Sequence, residues 1–245
     1  MATERLQKIL SQLGIASRRA AEAMIREGSI TINGRPAKLG DKADLTTDAV
    51  KVNGKLLRAS QKQERVCYAF FKPKGVISMI TDDAEGRTTI KHFLDTKKNL
   101  PKAKLFPVGR LDFNGEGIVL LTNDGDLAER LQKSDKLPRV YKVKIKGHPT
   151  EADLAKILKG AKLENKLVRP SAVHLTEKLT SKSQIEITFL QSGAVDVRAF
   201  LQTKGFLAEK ITRIALGGLS IAGMKTGDLW PVSPKQVEKA LLAYA

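Results

Sequence analysis

Short β-forming runs that recur at irregular intervals after residue 65 constrain the fold of this chain more than any other feature. Seven such runs occur, at residues 66–71, 76–80, 118–122, 140–145, 172–176, 184–190 and 210–216. Four helical candidates accompany them, at residues 89–94, 127–132, 151–159 and 195–202. Because strands and helices do not alternate with a regular βαβ period, the pattern predicts an α+β fold with a mixed, mainly antiparallel sheet.

The C-terminal segment carries a helix-start signal. Ser233, Pro234 and Gln236 form a capping-box pattern with proline at the first helical position. We therefore predict a last helix that begins at this point and runs to about residue 243.

The first 60 residues predict a separate small unit with two helices and a hairpin. Over 5–13, apolar residues recur at i, i+3, i+4 and i+7, which is the spacing of one helix face. Ser17 has the side chain of an N-cap for a second helix. A short strand over 29–32 then leads into Asn33-Gly34, a dipeptide typical of hairpin turns.

The polar stretch ASQKQER at residues 59–65 is the best candidate for a linker. It has no bulky apolar side chain, so it contributes little to a hydrophobic core. We therefore divide the chain near residue 60 and predict one domain over 1–60 and a larger one over 61–245.

The charge of the chain favours a polyanionic partner. The sequence has 43 Lys and Arg residues against 26 Asp and Glu residues, a net charge of +17 at pH 7. A protein that binds RNA or DNA gains affinity by releasing condensed counterions, so nucleic acid is the leading partner. A merely solubilising surface and a membrane-adsorbing helix are the alternatives, and the second would need bulky aromatic residues on one face.

Other classes of protein are disfavoured. No apolar stretch is long enough to span a bilayer, and the start MATERLQKIL has charges where a signal peptide is apolar, so we expect a cytoplasmic monomer without membrane contact. Cys67 lies in an apolar run typical of a buried thiol. His92, His148 and His174 lack metal-ligand spacing, and we expect no metal site and no cofactor.

A pair of arginines stands at the start of the second predicted helix. Arg18 and Arg19 follow Ser17 directly, where cations oppose the positive end of the helix dipole. A bound phosphate would resolve this conflict, because backbone N–H groups and two guanidinium groups would converge on it. Two solvated arginines on an exposed turn are an equally good interpretation of the pattern.

A glycine-rich loop carries the most distinctive charged residues. The sequence PVGRLDFNGEG places Arg110 and Asp112 between glycines and directly before the apolar run 118–121. Such a loop can present both side chains at a cleft. The residues alone favour a simpler interpretation, in which Asp112 caps a turn and Arg110 is its surface partner.

Two further residues are ambiguous by pattern. Alternation in the run 140–145 puts Tyr141 on one face with two aliphatic side chains, as expected for a core tyrosine. Arg198 lies in a predicted helix, where a surface arginine is the simplest interpretation.

Longer motifs carry a resemblance to a known family. The segment RLQKILSQLGIASRRAAEAMIREGSITINGRPA resembles an S4-type RNA-binding module. FKPKGVISMITDDAEGRTTIKHFL, FPVGRLDFNGEGIVLLTNDGDLAERL and RVYKVKIKG follow in that order and closely resemble the RsuA/RluB-type pseudouridine synthases, which modify bacterial ribosomal RNA. The resemblance covers nearly the whole chain, and GRLD with the downstream LLTNDG is its most specific part. It implies a pseudouridine-synthase domain that follows an S4-like helix-helix-hairpin domain.

The resemblance implies a role for individual residues. The catalytic aspartate of the family falls on Asp112, its active-site tyrosine on Tyr141 and its carboxylate-pairing arginine on Arg198. Lys72 belongs to a KPxG turn that helps to shape the pocket. We expect RNA contacts from the basic residues near these motifs, namely Arg18, Arg19, Lys72, Lys74 and Arg110.

Two departures from the family pattern keep alternatives open. Gly115 stands where relatives usually have threonine or serine, and Asp196 lies in VDVR where they usually read RQVR. A catalytically silent RNA-binding or ribosome-assembly protein on the same fold is therefore the rival hypothesis. A DNA-binding protein would explain the charge but not GRLD.

Overall fold

The structure is a computed structural model that describes residues 3–58, 64–97, 100, 105–241 and 244. Most of the proposed linker, residues 59–63, lies outside the described residues, as do residues 242 and 243 at the expected end of the last helix. The described residues form two compact units, one up to Arg65 and one from Val66 onward. No helix in these ranges has the length and apolarity needed to cross a bilayer.

The first unit contains two helices and six short strands. In chain order they are β1 Glu4–Arg5, α1 Leu6–Gln12, α2 Arg18–Arg26, β2 Ile30–Ile32, β3 Arg35–Pro36, β4 Lys42–Ala43, β5 Val50–Val52 and β6 Lys55–Leu56. One antiparallel sheet has the strand order β3-β2-β5-β6, and β1 pairs with β4. Both helices pack apolar side chains against β2 and β5 in one core.

Local signals in the sequence account for the shape of this unit. The Ser17 side chain accepts a hydrogen bond from the backbone N–H of Ala20 at 3.1 Å, so the predicted N-cap of α2 is confirmed. Asn33 and Gly34 both have positive φ, +51° and +84°, as a type I′ hairpin turn requires. The turn therefore fixes how β2 and β3 pair.

The second unit is built on a nine-stranded sheet. Its strands are β7 Cys67–Lys72, β8 Phe106–Val108, β9 Glu116–Thr122, β10 Arg139–Lys146, β13 Ala172–Lys178, β14 Lys182–Phe189, β15 Ala208–Leu216, β16 Leu219–Ser220 and β17 Leu229–Val232. The main order is β13-β14-β10-β15-β9-β7-β17, and β8 and β16 join at β9 and β15. All pairings are antiparallel except that of β15 with β9, which confirms the predicted mixed, mainly antiparallel sheet.

Helices cover both faces of this sheet. The five helices are α3 Ile90–Asp95, α4 Gly125–Lys133, α5 Glu151–Leu158, α6 Val197–Gln202 and α7 Pro234–Ala240, and a separate hairpin pairs β11 Ala161–Leu163 with β12 Lys166–Val168. On one face α3, α5 and α6 share a core with Tyr141, Val143 and Ile145. On the other face α4 and α7 pack against alternate residues of β7 and β9. The alternation of side chains along each strand thus builds two cores.

Six of the seven predicted runs are strands, and one expectation was wrong. Residues 76–80 form no strand, only an isolated bridge between Ile77 and Thr89. The chain turns at Gly75, which has a φ of +77°, and the N–H of Ile77 then bonds to the carbonyl of Thr88. Local partners therefore satisfy this backbone, and no sheet strand lies alongside it.

Candidate active site

A pocket of about 150 Å³ lies in the second unit at the loop between β8 and β9. Four parts of the chain line it: residues 110–112 with 114–115 of that loop, Tyr141 on β10, residues 195–198 at the start of α6, and Ile211 on β15. The structure thus brings together Asp112, Tyr141 and Arg198, three residues that are far apart in sequence. The small size of the pocket suits a single planar ring rather than an extended ligand.

The backbone on both sides of Asp112 is held by a second loop. Ser78 Oγ accepts a hydrogen bond from the N–H of Leu111 at 3.1 Å and donates one to the Leu111 carbonyl at 2.8 Å. The N–H of Gly75 donates to the carbonyl of Phe113 at 2.8 Å. The segment that contains the KPKG turn therefore fixes the residues directly before and after Asp112.

The electrostatic surroundings of Asp112 are mixed. Asp112 is an exposed residue of the pocket lining, yet the surrounding protein removes part of the solvation of its carboxylate and so raises its pKa, and the nearby charge of Asp196 adds to the rise. Three cations act in the opposite direction, in decreasing order Lys72, Arg213 and Arg198. The carboxylate is thus surrounded by cations but loses part of its solvation.

Lys72 occupies a different place from the one expected. It is fully buried at the end of β7, and its ammonium donates to the carbonyls of Pro73 at 2.9 Å and Val76 at 2.7 Å. Burial lowers the pKa of Lys72 to about 8, against the opposing effect of Asp112. The expectation that Lys72 contacts RNA is corrected, because a buried ammonium presents no surface to a phosphate. Its position below the loop fits the expected pocket-shaping role instead.

Tyr141 is both a core residue and a pocket residue. It is 3% exposed, and its ring meets the Phe189 ring edge-on with centroids 6.1 Å apart. Phe189 in turn packs edge-on against Phe200 of α6 at 5.5 Å. This chain of rings fixes the orientation of Tyr141 at the point where it lines the pocket.

Arg198 lines the pocket but is not paired with Asp112. Its guanidinium donates a hydrogen bond to the carbonyl of Ala208 on β15. Within the described part of the chain, Arg198 and Asp112 form no ion pair, although the Arg198 charge lowers the pKa of Asp112. The expected pairing would therefore require the Arg198 guanidinium to leave the Ala208 carbonyl.

The structure shows the surroundings of the two departures from the family pattern. A Cβ atom on Gly115 would lie 3.5 Å from the Asp112 carbonyl, an ordinary contact, so the backbone has room for the Cβ of a threonine or serine. The N–H of Gly115 closes the turn by donating to that carbonyl at 3.0 Å. Asp196 caps α6 by accepting a hydrogen bond from the N–H of Ala199 at 2.9 Å.

The remaining expected RNA contacts are surface residues. Lys74 and Arg110 are exposed beside the pocket loop, and Arg18 and Arg19 are exposed in the first turn of α2. Their contacts with RNA stay predictions. Among the described residues, no cluster of His, Cys, Asp or Glu side chains could hold a metal ion.

Sequence reasoning missed two residues of the site. Ser78 holds the backbone of Leu111, and Arg213 on β15 lies under the loop that carries Asp112. For Ser78 the sequence contains no signal, because its partner is 33 residues away. For Arg213 a signal existed: alternation places this charged residue on the same strand face as Ile211, which lines the pocket.

Comparisons with known proteins identify the family of both units. Residues 67–205 match the family model described as RNA pseudouridylate synthase, and residues 4–48 match the S4 domain. The chain is 34% identical to ribosomal large subunit pseudouridine synthase B of Bacillus subtilis, over 96% of this chain and 95% of that protein. It is 32% identical to the protein of the same name from Haemophilus influenzae, over 89% of this chain and 61% of that protein.

A solved structure titled as a pseudouridylate synthase has the same fold. It superposes with a TM-score of 0.64 at 24% identity and covers 97% of this chain and 99% of that one. Together with the match over most of the second unit, these findings assign the chain to a family of enzymes that isomerise uridine in RNA. The chain belongs to the RNA pseudouridylate synthase family, in the RsuA/RluB-type group with an N-terminal S4 domain.

Proposed function

We propose that this protein converts a specific uridine of large-subunit ribosomal RNA to pseudouridine, with Asp112 as the nucleophile. The observation that carries the proposal is the position of Asp112: its carboxylate lines a ring-sized pocket, and its neighbours on both sides are fixed by hydrogen bonds from the 75–78 segment. The name of the Bacillus subtilis relative supports the ribosomal target.

The reaction balances without a redox step. The Asp112 carboxylate attacks C1′ of the uridine as the N1–C1′ bond breaks, and the uracil leaves with the electron pair on N1. The detached base turns within the pocket, and its C5 attacks C1′ and displaces the carboxylate. The proton on C5 is then lost and N1 takes up a proton, which regenerates free Asp112.

Tyr141 and the aromatic rings behind it suit the handling of the base. A uridine must leave its stack to enter such a pocket, which costs a few kcal/mol in paired RNA and less in a loop or junction. We assign the Tyr141 ring to stacking on the flipped base and its hydroxyl to proton transfer at the base or sugar. An irregular region of RNA is therefore the expected target.

Arg198 is assigned to orient the ionised carboxylate once RNA is bound. Its guanidinium already lines the pocket, and release from the Ala208 carbonyl would free it to pair with Asp112. A planar guanidinium fork fixes the orientation of a carboxylate as well as its charge. We assign phosphate contacts to Lys74 and Arg110 beside this pocket.

The N-terminal domain, residues 1–60, is assigned to docking on folded RNA. The exposed Arg18 and Arg19 stand in the first turn of α2, where backbone N–H groups add to the attraction for a phosphate. A catalytic domain over 61–245 then supplies the whole pocket from one chain, so we propose that the protein works as a monomer. Because ribosomes assemble in the cytoplasm, we propose that it acts there.

Pseudouridine mapping of total RNA with and without the gene tests this proposal. We expect one site in large-subunit ribosomal RNA to lose its pseudouridine and to regain it on expression of the wild-type protein but not of Asp112→Asn. An unchanged map would overturn the proposal and favour a silent RNA-binding protein. Competition between folded RNA and duplex DNA at matched salt tests the DNA-binding alternative. We expect the protein to bind duplex DNA more weakly than folded RNA.

A further inference from the structure

Arg213 is the largest side chain that the described structure buries completely. It is 1% exposed and lies in the middle of β15. In the sheet it stands opposite Tyr141 on β10 and Gly117 on β9. Arg213 therefore joins the strand that carries the pocket tyrosine to the strand that follows the Asp112 loop.

The guanidinium of Arg213 connects the two ends of that loop. Its Nε donates a hydrogen bond of 2.8 Å to the carbonyl of Ile118, just after the loop. Its Nη1 makes a longer bond of 3.4 Å to the carbonyl of Arg110, two residues before Asp112. The first bond anchors the side chain on β9, and the second reaches the segment that leads to the carboxylate.

Two glycines lie close to Arg213, Gly117 against its backbone and Gly109 against its guanidinium. A Cβ atom on Gly117 would lie only 2.3 Å from the Arg213 carbonyl oxygen, so no side chain fits at that position. A Cβ on Gly109 would lie 3.7 Å from Arg213 Nη1, and Gly109 has a φ of +71°. Both glycines of the loop thus bring the backbone close to the arginine.

The charge of Arg213 is not balanced by an ion pair. Within the described residues its hydrogen bonds go only to carbonyl groups, and its Nη2 is buried without a partner. A buried cation of this kind destabilises the fold, and an apolar side chain at this site would destabilise it less. The cost indicates that the charge acts on a nearby anion, and Asp112 is the anion on which Arg213 exerts an attractive effect.

We propose that Arg213 is a positioning residue, which holds the 109–117 loop through its backbone carbonyls and supplies a buried positive charge that keeps the Asp112 carboxylate ionised. The proposal rests on the nucleophilic role of Asp112. Arg213 itself is too deeply buried to touch RNA, so its effect reaches the substrate only through the loop.

Other charged groups also surround Asp112, and the experiment must distinguish their effects from the effect of Arg213. Asp196 and Arg198 face it from α6, Lys72 from the end of β7, and Arg110 lies on its own loop. Arg213 differs from all of these in that it both bonds to the loop and carries charge. Two substitutions therefore distinguish its two roles. Arg213→Lys keeps the positive charge but cannot make both hydrogen bonds of the guanidinium, and Arg213→Gln removes the charge.

The experiment measures tritium release from RNA labelled at uridine C5, as a function of pH. Misplacing a reacting group by about 1 Å can cost about 100-fold in rate, so we expect a kcat loss of that order in both variants with the KM for RNA within a few fold. In Arg213→Gln the acid limb of kcat/KM moves to higher pH, because a charge that lowers the pKa of Asp112 is gone. In Arg213→Lys the limb stays near its wild-type position.

Arg139 provides a matched control. It is 4% exposed, and within the described part of the chain its hydrogen bonds go to the backbone carbonyls of Leu131, Leu137, Leu190 and Gln191, none of which belongs to the Asp112 loop. Arg139→Lys should lower the melting temperature without moving the acid limb.

The outcomes separate this inference from the proposed function. A folded Arg213→Lys protein with the wild-type kcat would overturn the loop-holding role. If Arg213→Gln does not fold, the kcat of Arg213→Lys alone tests the proposal. A folded Arg213→Gln whose acid limb matches that of the wild type would overturn the electrostatic role. Turnover by Asp112→Asn would instead overturn the proposed function itself, whatever the Arg213 variants do.

Discussion

The carboxylates of Asp112 and Asp196 line the same pocket, one on the loop after β8 and the other at the N-cap of α6. The pKa of Asp112 is raised first by burial and second by the Asp196 charge. In the proposed mechanism the Asp112 carboxylate must be ionised, so the charge of Asp196 opposes the proposed reaction at low pH. In the RQVR pattern that the resemblance implies, this position is a neutral glutamine, so Asp196 places an additional negative charge beside Asp112.

Asp196→Asn should extend activity to lower pH. Asparagine caps a helix about as well as aspartate, so α6 is expected to stay intact. Loss of the negative charge lowers the pKa of Asp112, and the acid limb of kcat/KM for tritium release therefore moves to lower pH. An acid limb at the wild-type position in a folded variant would show that Asp196 has no electrostatic effect on the nucleophile.

Asp112→Asn should abolish isomerisation and leave RNA affinity within a few fold. The amide has the shape of the carboxylate but cannot attack C1′. Tritium release and a filter-binding titration measure the two quantities. Asp95→Asn, an exposed aspartate on α3 that pairs with Lys91, is the control and should keep wild-type turnover. Turnover by a sequence-verified Asp112→Asn protein would exclude Asp112 as the nucleophile.

Tyr141→Phe should lower the rate by about 100-fold or more, because a positioned acid or base typically contributes 10² to 10⁴. The ring contact with Phe189 survives the change, so the melting temperature should stay near that of the wild type. Tyr68→Phe on β7, a half-buried tyrosine away from the pocket, controls for the loss of a hydroxyl. A wild-type rate would confine Tyr141 to stacking.

Lys72→Met should change how stability depends on pH. The pKa of Lys72 falls from 10.5 to about 8 in the folded protein, so between these values the unfolded chain binds more protons than the folded one. The free energy of unfolding therefore gains up to about 3 kcal/mol from this group as pH rises from 8 to 10.5. Denaturant titrations at several pH values should show a smaller rise in the free energy of unfolding for Lys72→Met than for wild type. Lys74→Met, in which an exposed lysine is replaced, is the control and should show the wild-type rise.

Arg18→Ala combined with Arg19→Ala should flatten the salt dependence of RNA binding. Each lost phosphate contact removes about 0.7 to 0.9 from the slope of log affinity against log salt, so we expect a change of about one to two units. Asp112 chemistry should persist at saturating RNA. The control is Lys162→Ala combined with Lys166→Ala, which removes the same amount of charge from two exposed lysines on the β11–β12 hairpin. Equal flattening by this pair would show that the slope reports net charge alone.

The sequence predicts those parts of the fold that depend on residues next to one another in the chain. Ser17 and Ser233 both cap helices as expected, since a cap needs only its own next few residues. No strand was predicted where β17 lies, and its Pro231 is a residue typical of an edge strand rather than a central one. The structure agrees with that rule, as β17 lies at the edge of the sheet.

The parts of the site that sequence did not predict depend on distant contacts. The resemblance pointed to Asp112, Tyr141 and Arg198, and the structure brings all three to one pocket. The expected RNA contact of Lys72 was wrong because no local pattern shows that the end of β7 lies beneath the loop. The Arg213 contact with the Arg110 carbonyl spans 103 residues and has no local signature either.

The parallel pairing of β9 with β15 also has a consequence for the order of assembly. Thr212 and Glu116, which face each other across it, are 96 residues apart, whereas β7 and β9 form an antiparallel pair much closer in the chain. A chain emerging from the ribosome can therefore pair β7 with β9 while the Asp112 loop still lacks Arg213 beneath it. The active site matures only after Arg213 has been synthesised and β15 has paired with β9, and isomerase activity should appear as a late event of folding.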